Sequence, residues 1–275
     1  MRRIRYLSGY LFSGSLLLAL TSLVVSVSIG STEIPFNAVI QHLIGDDGSL
    51  ANQIIDQLRL PRSLAAFAVG GTLALSGALM QVLLRNPLGD PYILGVSGGA
   101  AAAVLLGMLL GLQTVWLTPL GFGGALISIL LVFSFGYRQA QDSHRLLLAG
   151  VVIAAGWGAL ISLVLSISRP MQLPGMLCWL MGDLSDALNP WPALLVLLIS
   201  LLLALGLARQ LNLAVFGLEQ AAVLGVNTKR LRLQLYLLAS MMTAAAVSLA
   251  GTIGFIGLIV PHLVRLLGGT DHRLL

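Results

Sequence analysis

Between Pro91 and Tyr137 the chain reads PYILGVSGGAAAAVLLGMLLGLQTVWLTPLGFGGALISILLVFSFGY, without one charged residue. The hydrocarbon layer of a bilayer is about 30 Å thick and takes about 20 apolar helical residues, so this run holds two crossings. Gly111, Gln113 and Thr114 mark the turn between them. Charge-free runs from Tyr6 to Thr32, Ser63 to Leu84, Leu146 to Ser168 and Ala187 to Ala208 each suffice for one more helix. Six spans follow from charge placement alone.

The run from Leu233 to Val264 is long for one helix and short for two. Basic residues decide, because they concentrate on the cytoplasmic side. With the N-terminus inside, the inner segments hold Arg2, Arg3, Arg5, Arg85, Arg138, Arg145, Arg209, Lys229, Arg230 and Arg232, and the outer ones Arg59, Arg62 and Arg169. A turn near Ala250 to Gly254 also places Arg265 and Arg273 inside. A hairpin, and so eight spans, is the expectation, with a short second helix and broken geometry at Gly251 and Gly254. The apolar stretch after Arg5 is longer than the 7–15 residues of a signal peptide's apolar region, which favours a retained first span.

Composition agrees. Of 275 residues, 57% are hydrophobic and 9% charged, and mean hydropathy is +0.97. Soluble domains run near 25% charged, so 15 basic and 10 acidic residues cannot cover a water-facing globule of this size. The net charge of +5 is read against the bilayer and not as a nucleic-acid surface. The single cysteine, Cys178, excludes a disulfide framework and a thiolate cluster. No charge lies at mid-depth of a span, where an ion-coupled carrier usually holds carboxylates or histidines.

A phosphate-binding loop needs Gly-Lys-Ser/Thr, and the one lysine, Lys229, sits between Thr228 and Arg230. His42, His144, His262 and His272 have no zinc-ligand spacing. Asp183 and Asp186 read as solvated charges outside the membrane. Met171, Met176 and Met181 near the outer face are read as gap fillers, and Asn86, Pro87 and Pro91 as chain breakers. Gly150, Ala154 and Gly158, like Gly70 and Ala74, repeat at i+4 and place small residues on one helix face, which lets backbones approach.

The segment 213–227 is the informative connection. Val215, Leu218, Ala222 and Val226 follow i, i+3, i+7, i+11 and predict a short helix with one apolar stripe. Such a helix lies on lipid or docks into a partner's groove. Its basic residues come only afterwards, at Lys229 and Arg230, so docking is the expectation. Gly225 lies near its end, where a bulky side chain is expected to block close approach.

Several ordered blocks now carry a resemblance: Arg59-Leu-Pro-Arg62, Asn86-Pro-Leu-Gly-Asp-Pro91, Leu94-Gly-Val-Ser-Gly-Gly99, Arg145-Leu-Leu-Leu-Ala-Gly150, Trp179-Leu-Met-Gly182, Leu218-Glu-Gln-Ala-Ala-Val-Leu-Gly-Val226 and Gly254-Phe-Ile-Gly-Leu-Ile-Val-Pro-His-Leu-Val-Arg265. Together they resemble the permease subunits of ATP-binding-cassette importers for ferric siderophores, haem and vitamin B12, over essentially the whole chain. The resemblance implies an all-α polytopic helical bundle of the vitamin B12 importer permease type, with about eight of the usual ten spans before the chain stops at Leu275. It implies one transmembrane permease domain over 1–275, shortened at its C-terminus, in the inner membrane, without an ATPase or cofactor site of its own. ATP and magnesium then belong to separate ATPase subunits. The other implied partners are a periplasmic or lipoprotein substrate-binding protein, a second permease as homodimer or pair, and the lipid bilayer, with no nucleic acid.

The same resemblance assigns roles residue by residue. Leu218, Glu219, Ala221, Ala222, Leu224, Gly225 and Val226 fall in the coupling helix that fits the ATPase. Arg59 and Arg62 match arginines that pair with acids on the binding protein, the alternative being anchoring at the interface. Ser143 and His144 match the cytoplasmic gate, the alternative being a solvated loop. The cargo expected first is a ferric siderophore, with haem or cobalamin as alternatives. The competing class is a secondary transporter or channel for a small solute.

Overall fold

The computed structural model describes residues 2–30, 49–136, 143–185, 187–215 and 217–268. Helix α1 covers Arg2–Ser28, and α2, Leu50–Ile54, runs through one π turn, Ile55–Arg59, into α3, Leu60–Leu84. A 3₁₀ turn at Pro91–Leu94 leads into α4, Val96–Leu109, paired with α5, Thr114–Gly136. Then come α6, Ser143–Ile167, α7, Leu173–Met181, α8, Trp191–Ala214, α9, Leu218–Val223, α10, Thr228–Ala250, and α11, Ile256–Gly268. Among the described residues there is no strand.

The expected spans appear as α1, α3, α4, α5, α6, α8, α10 and α11. Leu50–Leu84, α5, α6, α8 and α10 are long and apolar enough to cross a membrane. Gly111, at φ 72°, turns α4 into α5 where the sequence marks it. The final hairpin is present too: α10 stops at Ala250, residues 251–254 are non-helical, and α11 begins at Ile256. At 1.5 Å per residue, the 13 residues of α11 reach about 20 Å, part of a crossing.

Backbone groups freed inside a bilayer must find partners within the protein, and the break does so. Thr252 Oγ1 donates to Leu180 O. Ile253 N donates to Tyr92 Oη at 3.1 Å. Asp183 N donates to Ala250 O at 2.9 Å, and Gln81 Nε2 reaches Leu258 O at 3.1 Å. The Pro91–Leu94 turn is therefore part of the bundle and not a surface loop. Asp90 Oδ1 caps it by accepting from Tyr92 N at 2.8 Å, and Ser128 Oγ donates to Gly95 O at 2.7 Å.

Small residues set the crossings, though largely not those singled out by spacing. Gly150 and Ala154 do admit the chain at Ile93 to Gly95. Gly158 and Gly70 face open space, so the i+4 pattern does not identify a packed face there. The closest approach is α3 on α11, where a Cβ on Gly77 would overlap the backbone of Gly257. Gly99 and Gly124 play the same part between α4 and α5.

The core lies around α3, α4, α5 and α10, with Leu79, Met80, Val96, Leu231, Leu235 and Val247 buried. Within it Ser76 Oγ lies 2.7 Å from Ala239 O and 2.7 Å from Thr243 Oγ1. By contrast α6 and α8 show bare hydrocarbon, with Leu148 65% and Leu202 61% exposed. That is the expected face toward lipid or a second membrane chain.

Candidate functional site

The π turn before α3 has a local cause. Pro61 has no N–H and its ring crowds the carbonyl four residues back, which frees one helical bond and favours an inserted residue. Leu60 N accordingly bonds Ile55 O, five residues back. Here Arg59 and Arg62 part company. Arg59 turns toward α1, where its Nη1 donates to Val27 O at 2.8 Å and Ser28 O at 2.9 Å. A guanidinium on the last carbonyls of a helix complements its dipole. Arg62 is exposed, and its Nη2 donates to Ser185 O at 2.9 Å. Both border a depression of about 1180 Å³ with Ser26, Gly30, Leu58 and Leu184. Hydrogen bonds from Ser185 hold the Asp183 carboxyl below its usual value, with a smaller contribution from Arg62.

At the opposite end of the bundle, α9 is six residues long, shorter than the stripe from Val215 to Val226 requires. Gly217 at φ 114° and Gly225 at φ 86° break the helix on both sides. The stripe is therefore corrected: Ala222, expected on the common apolar face with Val226, is exposed, and Ala221 is the buried residue, packed on α8. Val223 is 89% and Leu224 62% exposed. The end of α9 is a Schellman cap, in which Val226 N donates to Ala221 O and Gly225 N to Ala222 O, both at 3.0 Å. A Cβ on Gly225 would meet open space, so glycine is needed there for its backbone angle and not for room. Leu218 and Glu219 begin the helix, and their side chains lie outside the described residues.

Asn227 then starts α10, its Oδ1 accepting from Arg230 N at 3.0 Å. Between α8, the α9 cap and α10 lies a cleft of about 980 Å³, bordered by Arg209, Gln210, Leu224, Gly225, Asn227 and Arg230. Sequence reasoning passed over Arg209, Asn227 and Arg230 as parts of this feature. The Asn-x-x-Arg start of a helix was the available signal. The arrangement offers apolar side chains beside two guanidinium groups, a surface suited to a partner with acidic and apolar residues.

Ser143 opens α6 immediately after residues 137–142, which lie outside the described residues, as do the side chains of Ser143 and His144. Among the described residues no group of three His, Cys, Asp or Glu is arranged to hold a metal ion.

Comparison with known proteins places these features in a family. The model of the FecCD transport family matches residues 17–275. The hemin transport system permease protein HmuU of Yersinia pestis is 43% identical over 78% of this chain and 67% of its own length. The molybdate import system permease protein MolB of Haemophilus influenzae is 36% identical over 96% of this chain and 80% of its own. A solved structure described as an inward-facing conformation of a putative metal-chelate type ABC transporter superposes with a TM-score of 0.84, at 32% identity, over 96% of this chain and 83% of that one.

Proposed function

This chain belongs to the FecCD transport family, and from that premise we propose how it works. It is a transmembrane permease subunit of an ATP-binding-cassette importer of the metal-chelate class. Hydrolysis of ATP belongs to a separate subunit in this family, and a binding protein delivers cargo. In our reading this chain carries no catalytic or cofactor site, its N-terminus is cytoplasmic, and it works as a dimer with a second copy.

One observation supports the coupling assignment above the others: a six-residue helix, capped at both ends by glycines with positive φ, holds Val223 and Leu224 out beside an arginine-lined cleft. Closing of the ATPases on nucleotide would push on α9. That force would pass to α8 and α10, the helices on which α9 packs. Ser143 and His144, where α6 begins, are assigned to the inner gate. At the outer mouth Arg62 is the docking residue, because it is exposed, whereas Arg59 fixes α1 against α2 and α3.

Ferric siderophore is the cargo proposed first. Relatives named for hemin and for molybdate import show that the family serves cargoes of very different size. Uptake of labelled ferric siderophore, haem, cobalamin and molybdate, in cells lacking their own permease and supplied with the partner ATPase and binding protein, tests the choice. Accumulation of the siderophore supports it, and accumulation of another cargo alone replaces it.

A further inference from the structure

A stable protein–protein contact takes about 20–30 residues from each side, whereas α9 has six, with Ala221 turned inward. The rest of an ATPase footprint has to come from the surface around that helix. The last turn of α8 divides this surface in two. Leu213 borders the arginine-lined cleft, whereas Ala214 and Val215 border a second depression of about 560 Å³, together with Gln81, Arg85, Pro87 and Arg265. Gln81 is 2% exposed, and its bond to Leu258 O clamps α3 to α11 at the floor. Arg85 lies four residues after Gln81 and Arg265 seven after Leu258, about one and two helical turns on, so the clamp sets both guanidinium groups on the same side. Among the described residues no carboxylate pairs with either.

The connection after α3 is equally fixed. Leu88 N donates to Asn86 Oδ1 and Gly89 N to Asn86 O, both at 3.0 Å, and the Asp90 cap follows. This short loop holds Leu88 out at 57% exposure, three residues from Arg85. Val223 and Leu224 make the same pairing of bare apolar side chain and guanidinium with the arginines of the cleft. A surface already in its bound shape loses little entropy on contact. Leu88 and Val215, the exposed apolar neighbours of the depression, lie on connections at the end of the bundle and not on the flank of a span, which favours a soluble protein over a lipid. We propose that the ATPase straddles the end of α8, gripping the loop at 85–89 as well as α9. A carboxylate of the ATPase enters between Arg85 and Arg265, where it accepts from both guanidinium groups, and Leu88 packs on an apolar residue beside it. The inference rests on the reading of this chain as an ATPase-driven permease. It adds a second point of attachment, through which the stroke reaches α3 and α11, the helices joined at Gly77 and Gly257.

The test uses the full chain in nanodiscs with its purified ATPase. A photoreactive p-benzoylphenylalanine in place of Leu88 should crosslink to the ATPase, as should one in place of Val223, whereas one in place of Leu112, in the turn between α4 and α5, should not. R85Q/R265Q should weaken ATPase binding about tenfold, two surface ion pairs being lost, and should flatten its salt dependence. R85K/R265K should keep most of the affinity, and R169Q, at the other end of the bundle, should match wild type. Monodispersity and the melting profile show that each variant is folded. Wild-type affinity in R85Q/R265Q, or no crosslink from position 88 where position 223 gives one, overturns the proposal and leaves the importer reading intact. Failure of the wild-type chain to bind the ATPase, with no crosslink from position 223 either, overturns that reading and this one with it. Loss of co-purified phosphatidylglycerol from R85Q/R265Q with ATPase binding unchanged would assign the arginines to lipid and equally overturn the proposal.

Discussion

Replacing Gly225 separates two accounts of how α9 meets its partner. The residue lies at φ 86° with open space where a side chain would go. An L-residue in left-handed backbone costs about 1–2 kcal/mol, and straightening the chain instead forfeits the two cap hydrogen bonds that Gly225 and Val226 donate. A six-residue helix has little stability to spare. The cost therefore comes largely out of the population competent to bind, and apparent affinity falls by the same factor, about 5- to 30-fold at 1.4 kcal/mol per decade. The penalty belongs to the backbone, so Gly225→Ala and Gly225→Leu should weaken binding of purified ATPase to permease in nanodiscs to similar extents. Gly225→Asn should lose less, since Asn tolerates this conformation. Alanine behaving as wild type, with losses growing as the side chain lengthens, would refute the reasoning and restore the crowding that the sequence suggests.

Four further outcomes follow from the geometry. Arg62→Glu should weaken docking of the binding protein and remove its salt sensitivity, with rescue by basic substitutions on the partner, whereas Arg59→Glu should lower stability and membrane yield, as read by fluorescence-detected chromatography. Gly77→Val should cost about 1–3 kcal/mol or prevent assembly, because it drives α3 into α11, while Gly70→Ala, in open space, should be neutral or mildly stabilising in the same melting assay. Asp90→Asn keeps an acceptor for the Tyr92 N–H and should melt close to wild type, while Asp90→Ala, which loses the cap, should cost about 1 kcal/mol. Reporter fusions after Arg138 and Arg232 should read cytoplasmic, and those near Gly45 and Asp183 external, an inverted pattern overturning the orientation.

The spans were legible because charge in hydrocarbon is costly, so that Pro91 to Tyr137 can be divided into α4 and α5 by inspection. The final hairpin was legible for the same reason, through Arg265, and its break through Gly251 and Gly254. Packing was not. Gly70 and Gly77 stand seven residues apart on one helix, yet only Gly77 meets a neighbour, and that neighbour, Gly257, is distant in sequence. The π turn could have been suspected from Pro61, but its effect, aiming Arg59 at the end of α1, depends on where α1 lies. Helix α7 escaped notice because nine residues are too few for a periodic signal. On α9 the extent of the helix was overestimated. Gly217 and Gly225 end it within six residues, so Ala221 and not Ala222 faces inward.

The account rests on the claim that this chain conducts its cargo only when a separate ATPase drives it. The direct measurement is uptake of labelled ferric siderophore into proteoliposomes holding this permease with its ATPase, binding protein outside and ATP trapped inside. Uptake should require all three components and stop when the ATP is replaced by a non-hydrolysable analogue. Uptake by the permease alone, driven by a proton or sodium gradient without the ATPase, would contradict it.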